Sequence, residues 1–129
     1  MTWVELFIAF VVSHLAGDYL LQTDWQAVHK RGGLTVRACD ARRALFTHVG
    51  TYTLAFAPAL VATEPNAKLV WIVPAIFVPH LIQDDGRLLH DYMRRVKRID
   101  PTGNLPVSIA VDQTFHIVAL VILALAIAG

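Results

Sequence analysis

The chain has 129 residues, 56% hydrophobic and 16% charged, with a net charge of +1, a mean hydropathy of +0.53 and a single cysteine, Cys39. A soluble domain this small would not carry so much apolar surface, whereas a compact helical membrane protein would. The near-zero charge gives no electrostatic case for a nucleic-acid partner, and one thiol excludes both an internal disulfide and a four-thiolate metal site.

The first apolar window, residues 3–23, is too long for a secretory signal and lacks its basic flank and small-residue cleavage site, so it is expected to be retained. It carries His14, Asp18 and Gln22, each one helical turn apart. A polar link, 24–42, follows with the turn signal "RGG" and Trp25 as an interfacial anchor. The second window, 43–63, holds His48 and Tyr52, and "PNAK" joins it to the third, 68–88. That third window holds His80 and Asp84, with Pro74 and Pro79 expected to bend it near His80. Link 89–105 contains "DPTGN" and a second anchor, Tyr92; the fourth window, 106–128, contains Asp112, Gln113 and His116.

Windows of about 20 residues span a bilayer, so the expected fold is an all-α integral membrane four-helix bundle in one domain, 1–129. Ten of the 11 Lys and Arg residues lie in or beside the two longer links, and Lys68 alone lies in the short one. The positive-inside rule then puts both longer links in the cytoplasm and both termini outside, in a multi-pass protein of the inner (plasma) membrane. The lipid bilayer is the expected partner, with basic links touching anionic headgroups.

Each window carries a polar pair four residues apart, hence on one helix face: His14 and Asp18, His48 and Tyr52, His80 and Asp84, Asp112 and His116. The order His then Asp in the first and third windows reverses in the fourth, as an antiparallel chain requires. Measured from the cytoplasmic end, Asp18, Asp84, Asp112 and His48 form one layer about 5–9 Å deep. His14, His80, His116 and Tyr52 form another at about 10–15 Å.

A lone polar residue in a membrane helix is more often a structural hydrogen-bond partner than a ligand. Polar residues matched in depth across antiparallel helices instead suggest one shared site. Imidazoles and carboxylates are ligands for a divalent metal, with zinc favoured and manganese or iron as alternatives. The expected metal ligands are His14, Asp18, His80, Asp84, Asp112 and His116. Gln22 and Gln113 would orient them or join helices. His48 or Asp18 would act as general base, and Tyr52 would steady a developing oxyanion. Asp85 points about 100° around the helix from Asp84, toward solvent or the next helix. His29 and His90 are expected to be solvated, and Gly17 to permit close helix approach.

The stretches "HLAGDYLLQTDWQAVHK", "THVGTY", "HLIQDDGR" and "DQTFH" resemble the bacterial membrane proteins grouped as domain of unknown function 3307, over nearly the full chain. His14, Asp18 and Gln22, then Asp112, Gln113 and His116, carry the most specific likeness; His48, His80 and Asp84 also fall on the pattern. The resemblance implies a Lys shortly after the third-window Asp, where this chain has Arg87. A looser similarity is to predicted membrane-bound metal-dependent hydrolases, an analogy of motif style.

The leading expectation is therefore a membrane metal-dependent hydrolase acting on a lipid-like phosphodiester or ester, or another small-molecule substrate. The alternative is a proton or divalent-cation transporter or channel subunit using the same network, with a homo-oligomer building its outer path. Haem between two imidazoles ranks last, because carboxylates crowd every His. A structural subunit of a larger complex is a further reading.

Overall fold

The computed structural model describes residues 1–35, 37–63 and 68–128; residues 65–67 of the expected "PNAK" link lie outside them. It is all-helical, with no strand among the described residues.

Helix α1 (Trp3–Leu15) starts on a capping box: Thr2 Oγ1 accepts from the Glu5 N–H at 3.3 Å and Glu5 Oε2 accepts from the Thr2 N–H at 2.7 Å. It runs into one π-turn, Ala16–Leu20, closed by the Leu21 N–H donating to the Ala16 carbonyl at 3.0 Å. Such single wide turns inside helices are frequent at functional sites, and this one carries Asp18. A second capping box, Thr23 with Gln26, starts the short α2 (Asp24–His29) inside what the sequence presents as a link. Gln26 is buried and donates to Thr47 Oγ1 at 3.2 Å, which fastens α2 to α3 (Cys39–Ala55).

Phe56 separates α3 from α4 (Ala57–Thr63). Helix α5 (Leu69–Asp84) contains both prolines and stops four residues before the expected window end. Gly86 is the reason: its φ of 83° takes the chain into the left-handed region, where a side chain would be strained. Short α6 (Arg87–Tyr92), a π-turn at Met93–Lys97 and long α7 (Leu105–Ala128) complete the chain.

Helix α1 packs on α7, α3 on α5 and α5 on α7, while α1 also meets α3 and α4. The interior has two zones. One end is dry, filled by Leu6, Phe10, Phe56, Leu60, Ile72 and Leu120 among others. The other end holds the polar groups. Outward, Leu54, Val61 and Val70 are 70%, 82% and 79% exposed. Apolar outside and polar inside is the pattern of a bundle whose solvent is lipid.

Among the described residues, three helical stretches are long and apolar enough to cross a membrane: Trp3–Leu20 (α1 with its π-turn), Cys39–Ala62 (α3 into α4) and Leu105–Ala128, with mean hydropathies of 1.3, 1.3 and 2.0. The third expected window, 68–88, is apolar too, but its helix α5 has 16 residues, about 24 Å at the α-helical rise.

Candidate metal centre

Three helical segments, the π-turn after α1, α3 and α5, bring His48, His80, Asp18 and Asp84 to one point. His48 Nε2 lies 3.2 Å from His80 Nε2, 3.4 Å from Asp18 Oδ1 and 2.8 Å from Asp84 Oδ2. His80 Nε2 lies 3.4 Å from Asp18 Oδ1 and 3.3 Å from Asp84 Oδ2. Side-chain exposure is 0% for His48, 2% for His80, 3% for Asp84 and 7% for Asp18. A tetrahedron with metal–ligand bonds of about 2.0–2.1 Å has edges of about 3.3–3.4 Å. Four of the five separations fall within 0.2 Å of that range, and the 2.8 Å contact is shorter.

The ring orientations strengthen this fit. The Nδ1 atoms of both His48 and His80 are buried without a hydrogen-bond partner, as is Asp18 Oδ1. Leaving such groups unpaired costs about 1–3 kcal/mol each. Both rings thus commit their polar contacts to the shared point. The His80 ring is held there by Tyr52, stacked face to face at 3.4 Å between centroids and 4° between planes.

Asp84 serves two groups. Its Oδ2 belongs to the cluster above, while its Oδ1 faces His116 Nε2 at 3.4 Å. His116 Nδ1 donates to the Asp112 backbone carbonyl at 2.8 Å, so in the neutral ring Nε2 carries a bare lone pair. That lone pair is buried and unpartnered, opposite a carboxylate oxygen. Two acceptors face each other and call for a cation or proton between them. Asp84, Asp112 and His116 accordingly form a second group whose ligand atoms lie within 4.8 Å of one another.

Lys30, at the end of α2, places Nζ 2.6 Å from Asp84 Oδ2 with its side chain 15% exposed. With its amide oriented to satisfy both neighbours, Gln22 accepts from Lys30 Nζ at 2.8 Å and donates to the Asp18 carbonyl at 3.1 Å. Three carboxylates (Asp18, Asp84, Asp112) against one ammonium leave two negative charges if the imidazoles are neutral. A divalent cation would offset them. Lys30 lies in an expected link, and the family resemblance implies an amine after Asp84; here the amine arrives from another element. The Thr23–Gln26 capping box is the signal that could have revealed α2 and so the position of Lys30.

Other expected site residues have different duties. His14 Nε2 donates to Gln113 Oε1 at 2.9 Å, and its Nδ1 accepts from the Tyr52 hydroxyl at 3.1 Å. Both nitrogens are used, so His14 sits outside the two ligand groups, and Gln113 and Tyr52 serve to orient it. His48, expected as a base, has its Nε2 within the group of donor atoms that could hold a metal. Gly17 does allow close approach: an added Cβ would lie 2.6 Å from Tyr52 Cδ2.

Asp85 turns inward rather than to solvent. It is 3% exposed, accepting from the Leu34 N–H at 2.9 Å and pairing with Arg87 Nε at 2.5 Å, which pins the 24–42 link. His29 is exposed, and its Nδ1 contacts the Trp25 carbonyl at 2.8 Å. His90 is half-buried; burial, with Arg31 and Arg94 nearby, lowers its pKa below the usual imidazole value.

A cavity of about 60 Å³ adjoins the second group, lined by Lys30, Arg31, Gln83, Asp84, Ser108 and Asp112 among others. It has room for a few waters. The Asp112 side chain, 25% exposed, is the most open of the three carboxylates.

The family model described as "Protein of unknown function (DUF3307)" matches residues 6–129, nearly the whole sequence, and the chain belongs to that family. No curated protein and no solved structure matches it, so neither comparison ties the chain to a hydrolase.

Proposed function

We propose that this DUF3307 protein is an integral membrane, metal-dependent hydrolase whose divalent cation is held by Asp18, His48, His80 and Asp84. The observation that carries the reading is the near-tetrahedral spacing of those four buried donor atoms, from 2.8 to 3.4 Å. Zinc suits a set of two imidazoles and two carboxylates at such edges; manganese and iron accept the same ligands with other geometries.

A bound divalent cation supplies a water of lowered pKa and polarises a phosphoryl or carbonyl oxygen. The chain's own groups fit supporting roles. Asp112, 25% exposed at the cavity wall, is placed to accept a proton from a water there. Lys30 and Arg31 on the same cavity favour an anionic phosphodiester, or the oxyanion that develops when a carboxylic ester is attacked. Tyr52 and His14 keep the His80 ring in plane rather than touch substrate.

In this reading the bundle crosses the inner membrane four times with both termini outside, and the site opens toward the cytoplasmic leaflet. The basic links support that orientation. Shortness of α5 is met by α6, which continues the chain beyond Gly86 to the interface. The transport alternative requires a polar path through the far half, where Phe10, Phe56, Ile72 and Leu120 pack as a dry core.

The test is metal content of the intact chain purified in detergent micelles, with hydrolysis of a chromogenic aryl phosphodiester and an aryl ester measured alongside. Co-purifying metal, lost in His80→Ala together with chelator-sensitive turnover, is expected. A metal-free wild type that also rejects added zinc and manganese would overturn the proposal.

A further inference from the structure

We infer that the centre is dinuclear: a second divalent cation binds between Asp84 Oδ1, Asp112 and His116 Nε2, with the Asp84 carboxylate bridging the two ions. The inference rests on the first site proposed above and extends it.

Three observations carry it. Asp84 splits its oxygens, with Oδ2 at 2.8 Å from His48 and Oδ1 at 3.4 Å from His116, as a bridging carboxylate must. His116 Nε2 is fully buried and unpartnered, and the Nδ1 bond to the Asp112 carbonyl aims its lone pair at Asp84 Oδ1. Asp112 Oδ2 lies 3.9 Å from His116 Nδ1, too far for a hydrogen bond, so its carboxylate has no hydrogen-bond partner among the described residues.

The two sites also divide the labour sensibly. Four protein donors leave the first ion a position for water only by expansion to five-coordination, whereas three donors facing a cavity leave one directly. The cavity that Asp84 and Asp112 line lies on that open side. Paired ions about 3.5–4 Å apart act as a clamp on the attacking and leaving oxygens of a displacement. Charge is consistent: two divalent cations and one hydroxide balance three carboxylates once Lys30 has left Asp84.

The experiment is metal stoichiometry of the full chain in detergent after loading with Mn²⁺ and gel filtration, for wild type, His116→Ala and Asp112→Asn. Asp112→Asn keeps the backbone carbonyl that orients His116. Two equivalents are expected in wild type, with a spin-coupled electron paramagnetic resonance spectrum. One equivalent, with an uncoupled spectrum, is expected in at least one variant. One equivalent in wild type, unchanged in both variants, would overturn the second site while leaving the first. Two equivalents throughout, or none in either variant, would also overturn it, because deleting one site must spare the other. No metal in wild type would instead refute the first site.

Discussion

Replacing Lys30 with Met tests whether an ammonium and a metal ion compete for Asp84. Lys30 Nζ lies 2.6 Å from Asp84 Oδ2, and the two side chains are 15% and 3% exposed. Removing one partner of a buried pair costs about 3–5 kcal/mol; partial exposure of the lysine reduces this to about 2–3 kcal/mol. Met preserves most of the stem's apolar volume, so the loss is electrostatic. In metal-free protein the variant should melt about 6–12 °C lower. With metal bound, the cation neutralises the same oxygen and the difference should nearly vanish. Linkage then requires tighter metal binding in the variant, by about 30- to 140-fold at 1.4 kcal/mol per decade. Thermal melts in detergent with and without chelator, and competition against a fluorescent zinc indicator, measure both quantities. Equal destabilisation with and without metal, or weaker metal binding, would refute the competition.

Gly17→Ala puts a Cβ 2.6 Å from Tyr52 Cδ2 and 3.2 Å from its Cα; overpacking of this kind costs about 1–3 kcal/mol. Because Tyr52 stacks on His80, the variant should also bind metal about 10-fold more weakly, checked by the same melts and titration. Tyr52→Phe removes the hydroxyl that donates to His14 Nδ1 but keeps the ring on His80. It should cost about 1 kcal/mol and leave metal stoichiometry unchanged; loss of the metal would show that the hydroxyl, not the ring, holds the site together. Asp85→Ala strands the Leu34 N–H and frees Arg87. The 24–42 link should open about 2 kcal/mol more easily, and trypsin should cut it about 30-fold faster.

Much of the fold was legible from residue order. Apolar windows and the i, i+4 polar pairs depend on helical periodicity alone, and periodicity is a local property of the chain. The turn at "DPTGN" was legible for the same reason: Asp100 Oδ1 accepts from the Thr102 N–H at 3.0 Å and hydroxyl at 2.8 Å, bonds between neighbours in sequence. The capping box before α2 was equally local, and noticing it would have shown that the 24–42 link contains a helix. Gly86 carried a legible stop signal as well, though only its positive φ shows that the helix ends there.

What residue order determined by itself was the membrane-type composition, the helices, and the convergence of His and Asp residues toward one end of the bundle. Tertiary structure alone decided which of them meet. Helical rise sets depth to within a turn, but ligand selection depends on rotation about each axis and on which ring nitrogen faces inward. Residue order makes His14 a ligand and His48 a base, yet His14 has both nitrogens bound by Tyr52 and Gln113 while His48 points its Nε2 at Asp84. Lys30 reaches Asp84 across 54 residues of chain. Only packing α2 against α3 brings an ammonium to that carboxylate, because a contact so distant in sequence leaves no local pattern to read.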